Sequence, residues 1–297
     1  AEAIVPTAEL PPYFGQGEDE GRECHVAYQS SLMAGAWFSL ANQDTGLIRK
    51  QISEMPQMPA GSNWICYMRC HDDIGWNVLK PEINQTQQVQ LKFASDFFGG
   101  QVPHSYSRGL TFQANSPDAV HGTNGMLSEL VGWRHAENKS GFARYKLMLS
   151  LAFSLGGIPM IYMGDELAQL NAPSTPQDQV CWVDSRDLHR PAFDEKARHQ
   201  VKLELGSRSA QAFRLIRHLR QVQKQELTAL NTSALKIIET GLDSLLAFHH
   251  QDKICLFNFS DQKLTLNKSR LGASGNTLTD LIENRCFPLE DIAIEPY

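Results

Sequence analysis

The 297-residue chain is 42% hydrophobic and 20% charged, with five Trp, 14 Phe and seven Tyr. That apolar content can fill a core and excludes a disordered chain, while 21 Gly and 14 Pro exclude a fibrous one. A net charge of −6 with no basic stripe excludes a nucleic-acid binder, and no apolar run approaches the ~20 residues of a membrane span. In chain order, residues 3–5 read as the end of a strand and residues 25–28 as a short strand. Residues 30–41 follow as a helix, with Leu32, Met33, Trp37 and Leu40 at helical spacing. Leu47, Ile48 and Ile52 carry a second helix. Residues 64–70 read as a strand whose alternation puts Cys66, Met68 and Cys70 on one face.

Residues 77–140 lose this pattern. They are polar and rich in Asn, Gln, Gly and Ser, and too long for an ordinary connecting loop, so they are predicted to form an excursion over the active face. Residues 144–155 read as an amphipathic helix that stops at Gly156-Gly157, and residues 158–163 as a buried strand. Residues 209–224 form another helical pattern, with Phe213, Ile216, Leu219 and Val222 inward. Strand followed by helix, repeated, predicts an α/β fold with a parallel sheet over residues 1–224. From about Gln225 the grammar changes to short alternating strands at residues 244–249, 254–259 and 263–266. Residues 225–297 are therefore predicted to form a small antiparallel β-sheet domain.

The six cysteines are Cys24, Cys66, Cys70, Cys181, Cys255 and Cys286, and no CxxC pair occurs. Cys66 and Cys70 read as small buried hydrophobes; a metal site shared with His71 is the alternative. Scattered thiols fit a reducing, cytoplasmic setting. The N-x-S/T triplets at Asn138, Asn231, Asn258 and Asn267 read as chance. There is no GxGxxG, no P-loop and no convincing metal cluster, so no cofactor is predicted.

Acidic residues sit at three strand ends: Glu2 at the first strand stub, His71-Asp72-Asp73 after residues 64–70, and Gly164-Asp165-Glu166 after residues 158–163. Strand ends at the C-terminal face of a parallel barrel carry catalysis. Carboxylates gathered there suit glycoside hydrolysis, in which one acid protonates the leaving oxygen and a second carboxylate is the nucleophile. A single acid after a strand is more often a helix N-cap, and that reading stays open for each cluster. The run Glu18-Asp19-Glu20 reads as a solvated loop.

His71-Asp72-Asp73-Ile74-Gly75-Trp76, preceded by Arg69, resembles the seventh-strand motif of the α-amylase superfamily of glycoside hydrolases. The H-D-D-I-G-W form looks like its sucrose-acting branch, the amylosucrases and sucrose hydrolases. Residues 1–5 resemble the fifth-strand end that bears the acid/base Glu, and residues 156–166 resemble the eighth strand. Asp184-Ser185-Arg186 with His189-Arg190-Pro191 resembles a sugar-binding loop, and Gly99-Gly100 through Gln113 an insertion that contributes to the pocket. The resemblance implies the C-terminal half of a (β/α)8 TIM barrel, its fifth to eighth units, followed by a small antiparallel β-sandwich domain. It implies that Glu2 is the general acid/base and Asp72 the third carboxylate that grips glucosyl hydroxyls. His71 would bond the same ring, Asp73 the fructosyl or acceptor side, and Ile4 and Gln113 would line the substrate site. Arg186 would close the far end of the pocket, paired with an Asp from upstream. Asp165, Glu166, His189, Arg190 and Pro191 are expected to be structural. Leu91 and Ala119 stand where amylosucrases carry arginines for longer glucans, which favours a hydrolase or a short-acceptor transglucosidase. The family's nucleophile lies in an R-x-D motif on the fourth strand, and none precedes Glu2. The chain is therefore expected to be a fragment, inactive alone, of a retaining enzyme acting on sucrose. The alternatives are an enzyme acting on trehalose, maltose or isomaltose, or a non-catalytic binding subunit.

Overall fold

The structure is a computed structural model and describes residues 1–297 apart from 114, 117, 118, 173–183, 228–234 and 274–276. Cys181 and the triplet at Asn231 lie outside the described residues. The fold is α/β with several small sheets. In chain order the first elements are β1 (Val26–Tyr28), α1 (Ser30–Asn42), α2 (Gly46–Ser53) and β2 (Asn63–Cys66). Next come α3 (Gln85–Phe98), β3 (Leu110–Phe112), β4 (Gly122–Asn124) and α4 (Leu127–Leu130). Then follow α5 (Lys139–Ser154), β5 (Ile158–Pro159), α6 (Glu195–Leu203) and α7 (Arg208–Glu226). The remainder is β6 (Leu235–Ile237), β7 (Leu245–His250), β8 (Lys253–Asn258), β9 (Leu264–Leu266), β10 (Thr277–Asp280), β11 (Arg285–Pro288) and β12 (Ile292–Ile294).

A parallel sheet of order β1-β2-β5 organises the first part of the chain. The Ala1 ammonium donates to the Val26 carbonyl at 2.6 Å, and the Tyr28 amide donates to the Ala1 carbonyl at 3.0 Å. This is the bonding of a parallel neighbour, so the first residues run beside β1 without a strand of their own. Crossover helices cover the sheet, and α1 is buried from Ser30 to Leu40 on every face because α2 and α3 pack against it. The Trp37 indole donates to the Met68 carbonyl at 2.8 Å and ties α1 to the chain beyond β2.

Two expected strands are shorter than their apolar runs. The ladder of β2 ends at Cys66, and the alternation expected beyond it does not sort exposed from buried: Tyr67, Met68, Arg69 and Cys70 are all buried. A parallel sheet is covered on both faces, so alternation carries no signal there. The run at residues 158–163 pairs only at Ile158–Pro159, with the Met160 amide adding one bond to the Cys66 carbonyl before the chain turns at Gly164 with φ 96°.

Residues 77–140 are more ordered than expected. Helix α3 starts at a reciprocal capping box between Asn84 and Gln87 and buries Leu91, Ala94, Ser95 and Phe98. That is an apolar stripe at helical spacing inside a polar segment, which composition concealed. Leu91 is thus a core residue, which corrects its expected place among acceptor-facing positions. The hairpin of β3 and β4 reaches the parallel sheet, with Ile74 and Thr123 exchanging backbone bonds at 2.8 and 3.2 Å.

The C-terminal strands form antiparallel pairs, β6-β7-β8, β9 with β12 and β10 with β11. Leu246, Phe248, Phe257 and Phe259 join the main apolar core, while Leu245, Leu266 and Leu271 form a small cluster of their own. Among the described residues no helix is long and apolar enough to cross a membrane.

Packing at the β2–β5 junction is testable. A Cβ on Gly157 would lie 2.5 Å from Cys66 Sγ and 2.7 Å from the Trp64 carbonyl oxygen. Gly157→Ala is expected to destabilise by about 1–3 kcal/mol. Thermal melting checks this against Gly206→Ala, whose Cβ would meet nothing within 4 Å.

Candidate active site

The strand ends of the parallel sheet bring Glu2, Tyr28 and the 70–73 segment to one mouth. Pairing with β1 sets Glu2 beside Tyr28, and β2 with its extended continuation delivers His71, Asp72 and Asp73. His71 Nε2 stands 3.6 Å from Glu2 Oε1 and 3.7 Å from Asp72 Oδ2. A small, shallow cleft opens here, its acidic rim formed by Glu2, Asp72 and Asp73. Tyr28, Met33 and Tyr67 line its apolar side, with the Tyr28 and Tyr67 rings 5.2 Å apart. The Tyr67 hydroxyl pairs with Ser30 Oγ at 3.0 Å, and burial raises both tyrosine pKa values.

Four basic side chains hold the 71–72 segment from behind. Buried Arg69 donates from Nε to the Gly125 carbonyl at 2.8 Å and from Nη2 to the Asp72 carbonyl at 2.7 Å. Arg186 Nη1 and Arg190 Nη2 share Asp72 Oδ1, at 3.0 and 3.3 Å. Arg190 Nε and His189 Nε2 both donate to the His71 carbonyl, at 2.8 and 3.0 Å. Arg186 also clamps Asp184, with Nη2 to Oδ2 at 2.6 Å, and this pairing holds the Asp184 carboxyl down to about 2. The Phe112 ring lies under the Arg186 guanidinium, 5.3 Å from its centroid. Asp184 is the sequence-near partner of Arg186, and Asp72 the distant one.

Burial shapes the charges around this wall. Asp73 is raised above its ordinary value by burial. His189 is pushed down to about 3 by burial and then by Arg69, so it stands neutral and donates from Nε2. Asp165 is pushed up to about 8 by burial, which the Arg69 guanidinium offsets only in part. Neither Asp165 nor Glu166 lines the cleft; Glu166 Oε2 accepts from the Gly164 amide at 2.8 Å.

The structure brings Glu2, Ile4, Asp72 and Asp73 together along the cleft, with His71 between Glu2 and Asp72. Arg186 joins them through Asp72. Gln113 is apart: it is exposed just past β3 at φ 53° and does not line the cleft. The loop from Gly99 to Leu110 likewise borders a different, wider groove. Sequence reasoning missed Tyr28 and Tyr67, although Tyr28 ends a strand and the rule that selected the acids applies to it as well. It also assigned Arg190 to loop shaping, and no local pattern shows that its guanidinium reaches a residue 118 positions away.

No family model matches the chain. It is 25% identical over 174 residues to trehalose synthase of Thermus thermophilus, which is 58% of this chain and 15% of that protein. It is 24% identical over 173 residues to glucosylglycerate phosphorylase of Escherichia coli K12, covering 57% of this chain and 29% of that protein. Among solved structures, sucrose 6F-phosphate phosphorylase from Thermoanaerobacter thermosaccharolyticum superposes with a TM-score of 0.61 at 16% identity, covering 90% of this chain and 48% of that one. An AmyP variant in complex with maltotriose gives 0.63 at 13% identity, covering 100% and 53%. These proteins are α-amylase-family enzymes with TIM-barrel folds, and this α/β chain superposes on part of the two solved structures. The chain spans less than a third of these curated relatives and about half of these solved structures.

The buried groups predict a pH dependence. Asp165 keeps its proton in the fold up to about 8 but loses it near 3.8 when unfolded, so its contribution falls as pH rises between those values. His189 acts oppositely: its contribution is present above 6.5 and is lost as pH falls toward about 3. From pH 6.5 to 8 Asp165 therefore acts without His189. Thermal melting at those two pH values is expected to show a decline in wild type that Asp165→Asn removes.

Proposed function

We propose that this chain contributes the acid/base side of a retaining active site that cleaves or transfers α-glucosides, with sucrose as the leading substrate. The observation that carries the reading is the convergence of Glu2 and Asp72 on His71 Nε2, at 3.6 and 3.7 Å, beside a cleft. Trehalose synthase, glucosylglycerate phosphorylase and sucrose 6F-phosphate phosphorylase among the similar proteins support it.

In this reading Glu2 donates a proton to the leaving oxygen and then, deprotonated, activates water or an acceptor sugar. Its half-exposed carboxyl at the rim is placed to meet both. Asp72 offers Oδ2 to glucosyl hydroxyls, because Oδ1 is held by Arg186 and Arg190. Such hydroxyl contacts accelerate the reaction when they strengthen as the ring distorts in the transition state. Asp73 faces the acceptor side. Tyr28 offers an apolar face to a sugar ring, with buried Tyr67 packed behind it. A retaining mechanism also needs a nucleophilic carboxylate, a role this reading assigns to none of the cleft's acids, so the chain alone is expected to be inactive. A second reading, trehalose or another short α-glucoside in place of sucrose, is favoured by the disaccharide- and glycoside-named relatives.

The test is glucose release and glucosyl transfer by the full-length protein on sucrose, trehalose, maltose and isomaltose. Turnover of sucrose fastest supports the leading reading; turnover of another sugar fastest selects the second, and turnover of none overturns both. Glu2→Gln is expected to lower kcat by about 10²–10⁴-fold. Arg190→Gln is expected to cost roughly tenfold in kcat/KM, with Arg190→Lys recovering part of it, because a lysine keeps the charge without the fork.

A further inference from the structure

The contacts of His71 point beyond proton transfer. At 3.6 and 3.7 Å its Nε2 is too far from Glu2 Oε1 and Asp72 Oδ2 for hydrogen bonds. The three atoms nevertheless all lie within 4.8 Å of one another. Zinc–ligand bonds of ~2.0–2.1 Å in a tetrahedron place neighbouring ligand atoms about 3.3 Å apart. Closing the two His71 distances to that value takes a few tenths of an ångström, and closing the Glu2–Asp72 separation, at most 4.8 Å, takes up to about 1.5 Å, both within the reach of side-chain torsions at the half-exposed Glu2 and His71.

Each ligand is already held from behind. Asp72 keeps Oδ1 on Arg186 and Arg190, which leaves Oδ2 toward His71. The His71 main chain is fixed by Arg190 Nε and His189 Nε2, and Glu2 by the pairing of Ala1 with β1. Fixed outer partners of this kind orient metal ligands and set their affinity. The adjoining cleft leaves room for water as a fourth ligand. One imidazole with two carboxylates suits zinc, whereas magnesium prefers six oxygens and keeps its water.

From this the geometry points to a transition-metal site at Glu2, His71 and Asp72 that takes Zn²⁺ in competition with substrate. The site stands on these contacts alone. Its effect on turnover rests on the proposed role of Glu2, because a carboxylate bound to zinc cannot carry the proton that the leaving oxygen needs.

Calorimetric titration of ZnCl₂ into the full-length protein tests the site, repeated with His71→Gln and Glu2→Gln. Both side chains are about half exposed, at 50% and 45%, so glutamine is tolerated, and melting curves verify folding. The chain has nine further His and six Cys, which makes the variants the deciding comparison. The expected result is a saturable site weakened at least about tenfold in each variant. CoCl₂ is expected to give the visible absorption of four-coordinate cobalt in wild type and to lose it in His71→Gln, while MgCl₂ leaves the calorimetric trace flat. No saturable Zn²⁺ binding, or binding unchanged in both variants, overturns the site. Zn²⁺ occupancy that leaves α-glucoside turnover untouched keeps the site and overturns the acid/base role of Glu2 instead.

Discussion

Parallel strand pairing is the constraint on which this molecule depends. Strands that run the same way end on the same side, so whatever follows each of them is delivered to one place. Ala1 bonds to β1, β1 to β2 and β2 to β5. Glu2 and Asp72 therefore meet although a helical pair and a loop separate them in the chain. The price of parallel pairing is a long crossover at each step, and α1 shows how that length is used. It is buried on every face and anchors the segment beyond β2 through Trp37.

The mouth is held open by charge. Asp72 sits between two guanidiniums on Oδ1 and an imidazole facing Oδ2, while the carbonyls of His71 and Asp72 accept from His189, Arg190 and Arg69. These bonds fix the backbone and one carboxylate oxygen and leave the other oxygen toward the cleft. Burying the supporting groups is costly. Asp165 and His189 respond by shifting toward their neutral forms, as buried ionisable groups do when no close partner compensates them. Buried Arg69 has Nε and Nη2 satisfied and Nη1 without a hydrogen bond.

Much of the frame was legible from residue patterns. Helices α1, α2, α5 and α7 and strands β1, β7 and β8 stand within a few residues of their apolar spacing. Two kinds of element were not legible. Strand ends beyond Cys66 and Pro159 were overextended, because an apolar run does not by itself mark hydrogen-bonded pairing: residues 67–70 are buried without it, and the run at 158–163, expected to be buried, leaves Ile158 and Met163 exposed. Helix α3 was missed, because its stripe of Leu91, Ala94, Ser95 and Phe98 lies within Gln-rich sequence, although its capping box was readable at Asn84 and Gln87.

For the site the division follows sequence distance. The local string at residues 71–76 and the acid at residue 2 could be proposed from residue type and from position at a strand end. Which cation faces which acid was decided by the tertiary fold alone. Arg186 and Arg190 reach Asp72 across 114 and 118 residues, while Gln113, near them in the expected site, stays exposed outside the cleft. Periodicity reports which face of an element is buried. It does not report the direction of a long charged side chain, which is set by the packing of loops that meet only once the sheet has formed.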